Sequence, residues 1–282
     1  MTLRAPLHCA GQASERRSSC SHLMTILGYI ILANLLSTLL SVALAAWLGF
    51  NYLARVIDKL VPVSAGLLLA TAVTHLLPES FNSEANPYVL GWVILGGILG
   101  LFLLEKLSLI HHTHHHEGDL HHHAHGHDRH EAGRGGVPIL IGDAFHNFAD
   151  GVVIAGAFLA DIHLGVIATL AVMAHEIPHE VGDFMILLNA GFTRRRAFAF
   201  NLLSGMSAVV GGIVGYFVLE ASQALLPYAL AIAAASFIYI ALSDLLPEMM
   251  RRSSLAKSLP EVGLVLLGVV IAAIATGSAH AH

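Results

Sequence analysis

The chain has 282 residues, of which 56% are hydrophobic and 12% are charged, and its mean hydropathy is +0.71. This composition leaves too little polar surface to cover a water-soluble globule, so it excludes the soluble classes and indicates a membrane protein. The formal net charge of −5 carries little information, because the local distribution of charge matters more in a membrane protein.

Eight mostly apolar runs are long enough to cross a hydrocarbon core, which takes about 20 helical residues. In chain order these segments are 24–50, 60–77, 88–107, 137–160, 164–190, 197–219, 225–246 and 261–279. We expect residues 24–282 to form one helical transmembrane domain, preceded by an N-terminal tail over residues 1–23. Cys9 and Cys20 lie in that tail and form no C-x-x-C pattern, so we expect no thiolate chemistry.

Lysine and arginine residues are confined to the tail and to alternate connections. Eleven of the fourteen lie at the ends of segments 1, 3, 5 and 7 or in the connections that follow them, and the other three lie in the tail. Because short connections rich in Lys and Arg stay in the cytoplasm, we expect these four connections inside and both termini outside.

The connection after segment 3, residues 108–136, is rich in histidine. Eleven of the twenty histidines of the chain lie between His111 and His130. Imidazoles at this density bind and exchange divalent metal weakly without a fixed geometry. We therefore expect a cytoplasmic loop that buffers or senses metal; the alternative is a disordered hydrophilic loop that tolerates histidine.

Segments 2 and 7 end in similar sequences. THLLPES at 74–80 and SDLLPEM at 243–249 share four residues in register, at an offset of 169. Segment 2 runs outward and segment 7 inward, so segments 1–3 and 6–8 are predicted to be inverted repeats around segments 4 and 5. Secondary transporters are often built this way, although a shared helix-ending pattern would also give this match.

Each of these two endings contains a pair of ionisable residues at i, i+4 spacing. His75 and Glu79 would lie at the outer end of segment 2, and Asp244 and Glu248 at the inner end of segment 7. Both pairs are candidates for relaying metal, although the proline within each ending, Pro78 or Pro247, indicates a helix end.

Segments 4 and 5 each carry a stripe of polar side chains on one helical face. The stripe of segment 4 comprises Asp143, His146, Asn147 and Asp150, and that of segment 5 comprises His175, Glu176, His179, Glu180 and Asp183. An Asp at the centre of a membrane helix costs about 2.5–3.5 kcal/mol, so five unpaired carboxylates would cost roughly 12–17 kcal/mol. The two stripes are therefore expected to face each other, a water-filled path or a bound cation.

The types of ligand narrow the choice of ion. Imidazole nitrogen with carboxylate and amide oxygen suits Zn²⁺, Fe²⁺ and Mn²⁺, whereas Cu(I) prefers sulfur and Ca²⁺ prefers oxygen alone. Pro178 removes one helical hydrogen bond near these ligands, and Gly142 and Gly151 lie close to those of segment 4. Backbone groups freed there are expected to line a polar cavity.

Taken together, these motifs resemble those of the ZIP family of divalent metal transporters. The resemblance rests on HNFADG at 146–151, HEIPHEVGDF at 175–184, HLLPE, DLLPE and the histidine-rich loop, and it extends over nearly the whole chain from about residue 24. It is strongest to the histidine-rich subfamily with HEIPHE on the fifth helix. It implies an all-α fold of eight transmembrane helices in a 3+2+3 inverted-repeat bundle, which moves metal into the cytosol.

The resemblance also implies a two-metal centre between helices 4 and 5. One site would use His146, Asp150 and His179, and the other Asn147, Asp150, Glu176 and His179. The sixth helix offers Asn201, Ser204 and Ser207 where relatives often have an acidic residue, which puts a complete second site in doubt. The short tail fits a bacterial or a compact organellar form, and we expect a bacterial inner membrane.

Two other functions compete with transport. An intramembrane zinc protease would use His175 and His179 of the H-E-x-x-H motif, with Glu176 as general base; a metal-sensing receptor would account for the histidine-rich loop. Neither explains the stripe of segment 4 together with the repeat. We therefore expect transport of zinc, or of iron or manganese, by a non-enzyme that needs no cofactor. We expect contact with lipid but not with nucleic acid, and we leave a homodimer open.

Overall fold

The computed structural model describes residues 8–51, 53–113, 129–251 and 255–277. Within these ranges the chain is helical and has no β-strand, which confirms the all-α prediction. Its α-helices are α1 (His8–Asn51), α2 (Leu53–Thr71), α3 (Leu77–Phe81), α4 (Pro87–Thr113), α5 (Arg129–Ala160), α6 (Ile162–Asn189), α7 (Arg194–Gly205), α8 (Ser207–Ala221), α9 (Leu226–Ile240), α10 (Leu246–Arg251) and α11 (Leu255–Gly277).

Several of these helices are long and apolar enough to cross a membrane. Four of the described stretches satisfy both criteria: Leu23–Trp47, Lys59–Phe81, Arg194–Ala221 and Gln223–Ser243. Pro87–Leu103 and Leu259–Ala275 are shorter apolar helices. Helices α5 and α6 carry the two polar stripes. Each of the eight predicted segments thus coincides with helix, while their arrangement as eight membrane spans in inverted repeats stays a prediction.

Small and aliphatic side chains fill the centre of the bundle, and large apolar side chains cover its outside. Ile30, Leu68, Ile154 and Phe237 are fully buried in the main core cluster. On the surface, by contrast, exposed hydrophobic residues include Tyr88, Trp92, Phe145 and Leu203. Such a surface suits hydrocarbon rather than water.

Glycines bring α5 and α8 into close contact. A Cβ built at Gly151 of α5 would overlap the carbonyl oxygen of Ala208, and one at Gly211 of α8 would overlap that of Phe148. Close backbone approach through small residues is a common way to pack membrane helices. Gly151 therefore lies in a continuous α5, where it allows close packing against α8.

A π-helical turn links α2 to α3, and another links α9 to α10. They span Ala72–Leu76 and Ala241–Leu245, at the same offset of 169 as the repeated sequences. Proline cannot donate a hydrogen bond and clashes with the carbonyl four residues earlier, and a wider turn relieves both effects. The helix that contains Pro78 ends about one turn later, at Phe81, as the proline indicates; α10 runs from Leu246 through Pro247 to Arg251, the last residue described there. The matched turns support the inverted repeat.

The contact at Gly151 generates a test of the packing. We expect Gly151→Ala to destabilise the protein by about 1–3 kcal/mol, because the added methyl group meets the main chain of α8. Thermal unfolding of the purified protein in detergent measures this effect. Gly142→Ala is the matched control on the same helix, since a Cβ there meets nothing within 4 Å; equal melting temperatures for the two variants would contradict the packing.

Candidate metal centre

Helices α5 and α6 form a tight antiparallel hairpin. Asp161 is the single residue between them, and its Oδ1 accepts hydrogen bonds from the main-chain nitrogens of His163 at 2.8 Å and Leu164 at 3.0 Å. This N-cap satisfies amides at the start of α6 and fixes where that helix begins. The short connection sets the register in which the two polar stripes meet.

Four predicted ligands converge between the two helices. His146 and Asp150 of α5 meet His175 and Glu176 of α6, and one ligand atom from each lies within 4.8 Å of the others. His175 Nε2 lies 3.1 Å from Asp150 Oδ2 and 3.3 Å from His146 Nε2, which in turn lies 3.2 Å from Glu176 Oε1. We call these four residues the mixed group, because it combines nitrogen and oxygen ligands.

The orientation of the His175 ring is set within its own helix. Its Nδ1 lies 3.1 Å from the main-chain oxygen of Ala171, one turn earlier. In the neutral ring this hydrogen bond assigns the proton to Nδ1 and leaves the lone pair of Nε2 facing the mixed group. Lone pairs of nitrogen and carboxylate oxygen thus point at one another inside the protein, an arrangement that a cation stabilises.

A second cluster adjoins the mixed group and shares Glu176 with it. One carboxylate oxygen from each of Asp143, Glu176 and Glu180 lies within 4.8 Å of the others, and all three residues are buried. We call these three residues the acidic group. The stripes therefore bring together Asp143, His146, Asp150, His175, Glu176 and Glu180, all of which the sequence singled out.

The remaining stripe residues lie around these groups. Asn147 donates from Nδ2 to Oδ1 of Asp143 at 2.9 Å, so it orients that carboxylate. The ring centroid of His179 lies 5.4 Å from that of His146, which places His179 beside the mixed group although it is not one of its four members. Asp183 is partly buried and belongs to neither group.

Helix α7 contributes Asn201 to the neighbourhood of the acidic group. Asn201 is fully buried, and its Nδ2 donates to the main-chain oxygen of Glu180 at 3.0 Å. Ser204 bonds within its own helix, with its hydroxyl 3.0 Å from the oxygen of Asn201 and 3.1 Å from that of Phe200.

His75 and Glu79, the predicted relay pair of segment 2, belong to neither group. Glu79 is exposed on α3, and His75 lies in the first π-helical turn. The side chains of Asp244 and Glu248 lie outside the described residues, and so does most of the histidine-rich loop.

Ser64 of α2 is a residue that sequence reasoning missed. Pro178 cannot donate to the carbonyl of Ala174, and the hydroxyl of Ser64 lies 2.6 Å from that oxygen. Ser64 is itself fully buried. The freed carbonyl is thus bonded to α2 and does not line a cavity as expected from the sequence. Pro178 indicated that the carbonyl of Ala174 would lack its helical donor. The sequence could not show which side chain would donate to that carbonyl instead.

Comparisons with known proteins point to one family. The family model described as ZIP Zinc transporter matches residues 21–136 and 108–276. "Zinc transporter ZIP10" of Mus musculus is 44% identical over 112 residues, which is 40% of this chain and 13% of that protein. "Zinc transporter foi" of Drosophila melanogaster is 43% identical over 132 residues, which is 47% of this chain and 18% of that protein.

A yeast relative aligns over a longer stretch. "Zinc transporter YKE4" of Saccharomyces cerevisiae is 29% identical over 220 residues, which is 70% of this chain and 62% of that protein. The alignments thus span between about an eighth and three fifths of the length of these relatives.

The bond from Ser64 can be tested by a double-mutant cycle with Pro178. We expect Ser64→Ala to lower the free energy of unfolding by about 1 kcal/mol, because it leaves a buried carbonyl without a donor. In a Pro178→Ala background the loss should be smaller, since an alanine at this position restores the main-chain donor to the carbonyl of Ala174. Thermal unfolding measures both effects. Thr74→Ala is the matched control, because that hydroxyl bonds its own helix at Ala70; additive losses from Ser64→Ala and Pro178→Ala would contradict this account.

Proposed function

Since the chain belongs to the ZIP zinc transporter family, we propose that it carries divalent metal, with zinc as its preferred ion, across a membrane into the cytoplasm. The family match confirms the resemblance drawn from the motifs, and it identifies an integral, multi-pass membrane protein. The observation that carries the proposal is the mixed group, where two imidazole nitrogens and two carboxylate oxygens converge between α5 and α6.

The chemistry of the mixed group supports zinc as the substrate. Zn²⁺ accepts both histidine nitrogen and carboxylate oxygen, and four such ligands complete its preferred tetrahedral set. The curated relatives are named zinc transporters, which favours the same ion here. Fe²⁺ and Mn²⁺ stay open as further substrates, because the same ligand types accept them.

The geometry of α6 argues against the protease alternative. A protease with H-E-x-x-H binds zinc through both histidines and keeps the glutamate as a base beside the metal. Here Glu176 shares the mixed group with His175, and its Oε1 lies 3.2 Å from His146 Nε2. This position supports a role for Glu176 as a ligand of the transported metal rather than as the base of a protease.

For the transport step we propose alternating access, with α5 and α6 holding the metal between two repeats. The matched π-helical turns support such repeats. The Lys- and Arg-rich connections favour an orientation with the termini outside and the histidine-rich loop in the cytoplasm; a bacterial inner membrane as the location stays a prediction. The exposed apolar surface fits lipid contact, and assembly as a homodimer stays a prediction.

The role of the mixed group predicts a loss of transport when one ligand is removed. We expect His175→Ala to reduce zinc uptake into proteoliposomes by at least about tenfold, because even partners behind a metal ligand change affinity by 10–100-fold. Uptake of labelled zinc by monodisperse protein measures this. His163→Ala is the matched control, since that exposed histidine lies at the start of the same helix. Normal uptake by His175→Ala would contradict the site.

The histidine-rich loop is expected to regulate transport rather than perform it. Deleting residues 111–130 should leave maximal zinc uptake within about twofold and change its dependence on zinc concentration, because a histidine tract binds metal weakly. Concentration series in proteoliposomes check this. Complete loss of uptake by correctly inserted protein would show that the loop belongs to the transport path.

A further inference from the structure

We propose that a groove between α5 and α7 binds one phospholipid with a negatively charged headgroup. An acyl chain lies in the groove, and the phosphate contacts the arginines at 194–196, where α7 begins. The groove lies on the outer surface of the bundle, whereas the metal ligands lie between α5 and α6. The inference therefore goes beyond transport and does not depend on which ion the protein carries.

The groove is a cavity with a volume of about 530 Å³. Its walls include Ile141, Phe145 and Phe148 of α5 and also Phe200 and Leu203 of α7. All of these except Phe148 are exposed, so the groove opens to the surroundings of the bundle. Sites for small molecules usually measure about 300–1,000 Å³. The cavity is therefore large enough to hold one molecule, unlike a flat apolar surface over which lipid tails only pass.

The polar side chains that line the groove are already engaged. Ser204 Oγ lies 3.1 Å from the main-chain oxygen of Phe200, and Ser207 Oγ donates to the main-chain oxygen of Ala144 at 2.5 Å. Both bonds direct the hydroxyl hydrogens toward the main chain. The occupant therefore meets an apolar lining, which suits a hydrocarbon chain and disfavours a polar solute.

The groove is about as long as one leaflet of a bilayer is deep. On α5 its lining extends from Leu140 to Phe148, which is about 12 Å at a rise of 1.5 Å per residue. One leaflet supplies half of a hydrocarbon core that is about 30 Å thick. An acyl chain of one leaflet therefore fits along the groove when its headgroup lies at one end.

Arginines lie at the end of the groove where α7 begins. Arg196 precedes Phe200 by four residues, so the two side chains share a helical face one turn apart. Arg195 and Arg196 are both exposed. On α5, Leu140 lines the groove and packs against the cluster that contains Ala197. The two walls of the groove thus begin at the same depth, next to guanidinium groups.

The turn between α6 and α7 holds the arginines at this position. Gly191 has a φ of 85°, and its nitrogen donates to the oxygen of Leu188 at 3.0 Å. The nitrogen of Phe192 donates to the oxygen of Leu187 at 3.1 Å. These two bonds form a Schellman motif, in which the left-handed position favours glycine. The Phe192 ring packs edge-on against that of Phe200, with centroids 5.5 Å apart, so the turn that leads to the arginines contacts the wall of the groove.

A phosphate matches this end of the groove. Guanidinium groups bind phosphate oxygens through paired hydrogen bonds, and long arginine side chains reach the headgroup layer from a helix end. In the predicted orientation these arginines face the cytoplasm, where anionic lipids make the membrane surface negative. A partner helix in the groove would cover its apolar walls but leave the arginines without a counter-charge. An anionic phospholipid satisfies both parts of the site.

Photolabelling of the wild-type protein in nanodiscs tests the site without any variant. The nanodiscs contain phosphatidylcholine with a trace of phosphatidylglycerol whose acyl chain carries a diazirine. Peptide mass spectrometry should show labelling of residues 140–148 and 200–207 at least about threefold above that of residues 88–103, an apolar stretch of α4 with several exposed side chains. A diazirine on phosphatidylcholine should show no such preference. Equal labelling of the two regions by phosphatidylglycerol, or the same preference with phosphatidylcholine, would overturn the proposal.

Removal of positive charge tests the headgroup contact. We expect Arg195→Gln together with Arg196→Gln to weaken phosphatidylglycerol binding by about tenfold or more, because two attractions between an arginine and an anionic headgroup are lost. Phosphatidylcholine binding should stay the same. Native mass spectrometry of the full chain with each added lipid measures both. Lys106→Gln is the matched control, since it removes an exposed positive charge on α4; unchanged phosphatidylglycerol binding in the arginine variant would overturn the proposal.

Filling the groove tests the contact with the acyl chain. Ala144 lines the groove and is partly buried. We expect Ala144→Phe to occupy part of the groove and to weaken phosphatidylglycerol binding by about fivefold or more, because the lipid chain then buries less apolar surface. Ala149→Phe is the matched control, since Ala149 is exposed on the same helix outside the lining. Equal binding by the two variants would show that the headgroup binds without the groove, which contradicts the proposal.

Inorganic phosphate separates the lipid from its headgroup alone. Compared with chloride at the same ionic strength, it should leave phosphatidylglycerol bound, because it lacks the chain that fills the groove. Displacement by phosphate but not by chloride would indicate an anion site on the arginines alone and would overturn the lipid site. None of these measurements involves metal, so their outcome is independent of the transport proposal.

Discussion

The constraint on which the rest of this structure depends is the burial of acceptor atoms inside the helical bundle. His175 Nε2, His146 Nε2, Asp150 Oδ2 and Glu176 Oε1 lie within 4.8 Å of one another, and the acidic group extends this cluster. Groups of this kind are unstable in hydrocarbon unless a cation or a well-placed donor accompanies them. In the proposed function these atoms lie together on two adjacent helices because one bound ion can offset the cost of burying all of them.

The surrounding helices hold this cluster in place through main-chain contacts. Asp161 fixes the start of α6, and Ser64 satisfies the carbonyl that Pro178 leaves open. On the other flank Gly151 and Gly211 let α5 and α8 approach until their backbones touch. A metal site needs its ligands positioned within a fraction of an ångström. These contacts would provide that position in the proposed site.

The mixed group and the acidic group differ in the ligand atoms that they offer, since only the mixed group contains imidazole nitrogen. Nitrogen and oxygen ligands together select a borderline metal, whereas oxygen alone holds it less tightly. Tight binding at every position would stop transport, since a passing ion must also leave. Glu176 belongs to both groups, so the two sets of ligand atoms adjoin along a single turn of α6.

The sequence by itself determined the all-α fold, the polar faces of α5 and α6 and the kind of metal they suit. These features follow from helical periodicity and from the cost of carboxylates in hydrocarbon, which are local properties of the chain. The sequence also located Pro178, which leaves the carbonyl of Ala174 without its helical hydrogen bond. Only the tertiary structure decided that the Ser64 hydroxyl contacts this carbonyl and that Gly151 packs on α8. It also decided that Glu176 belongs to both groups of ligands, whereas His179 lies beside them. These outcomes depend on how helices distant in sequence approach one another, because spacing along one helix fixes a face but not the partner that it meets.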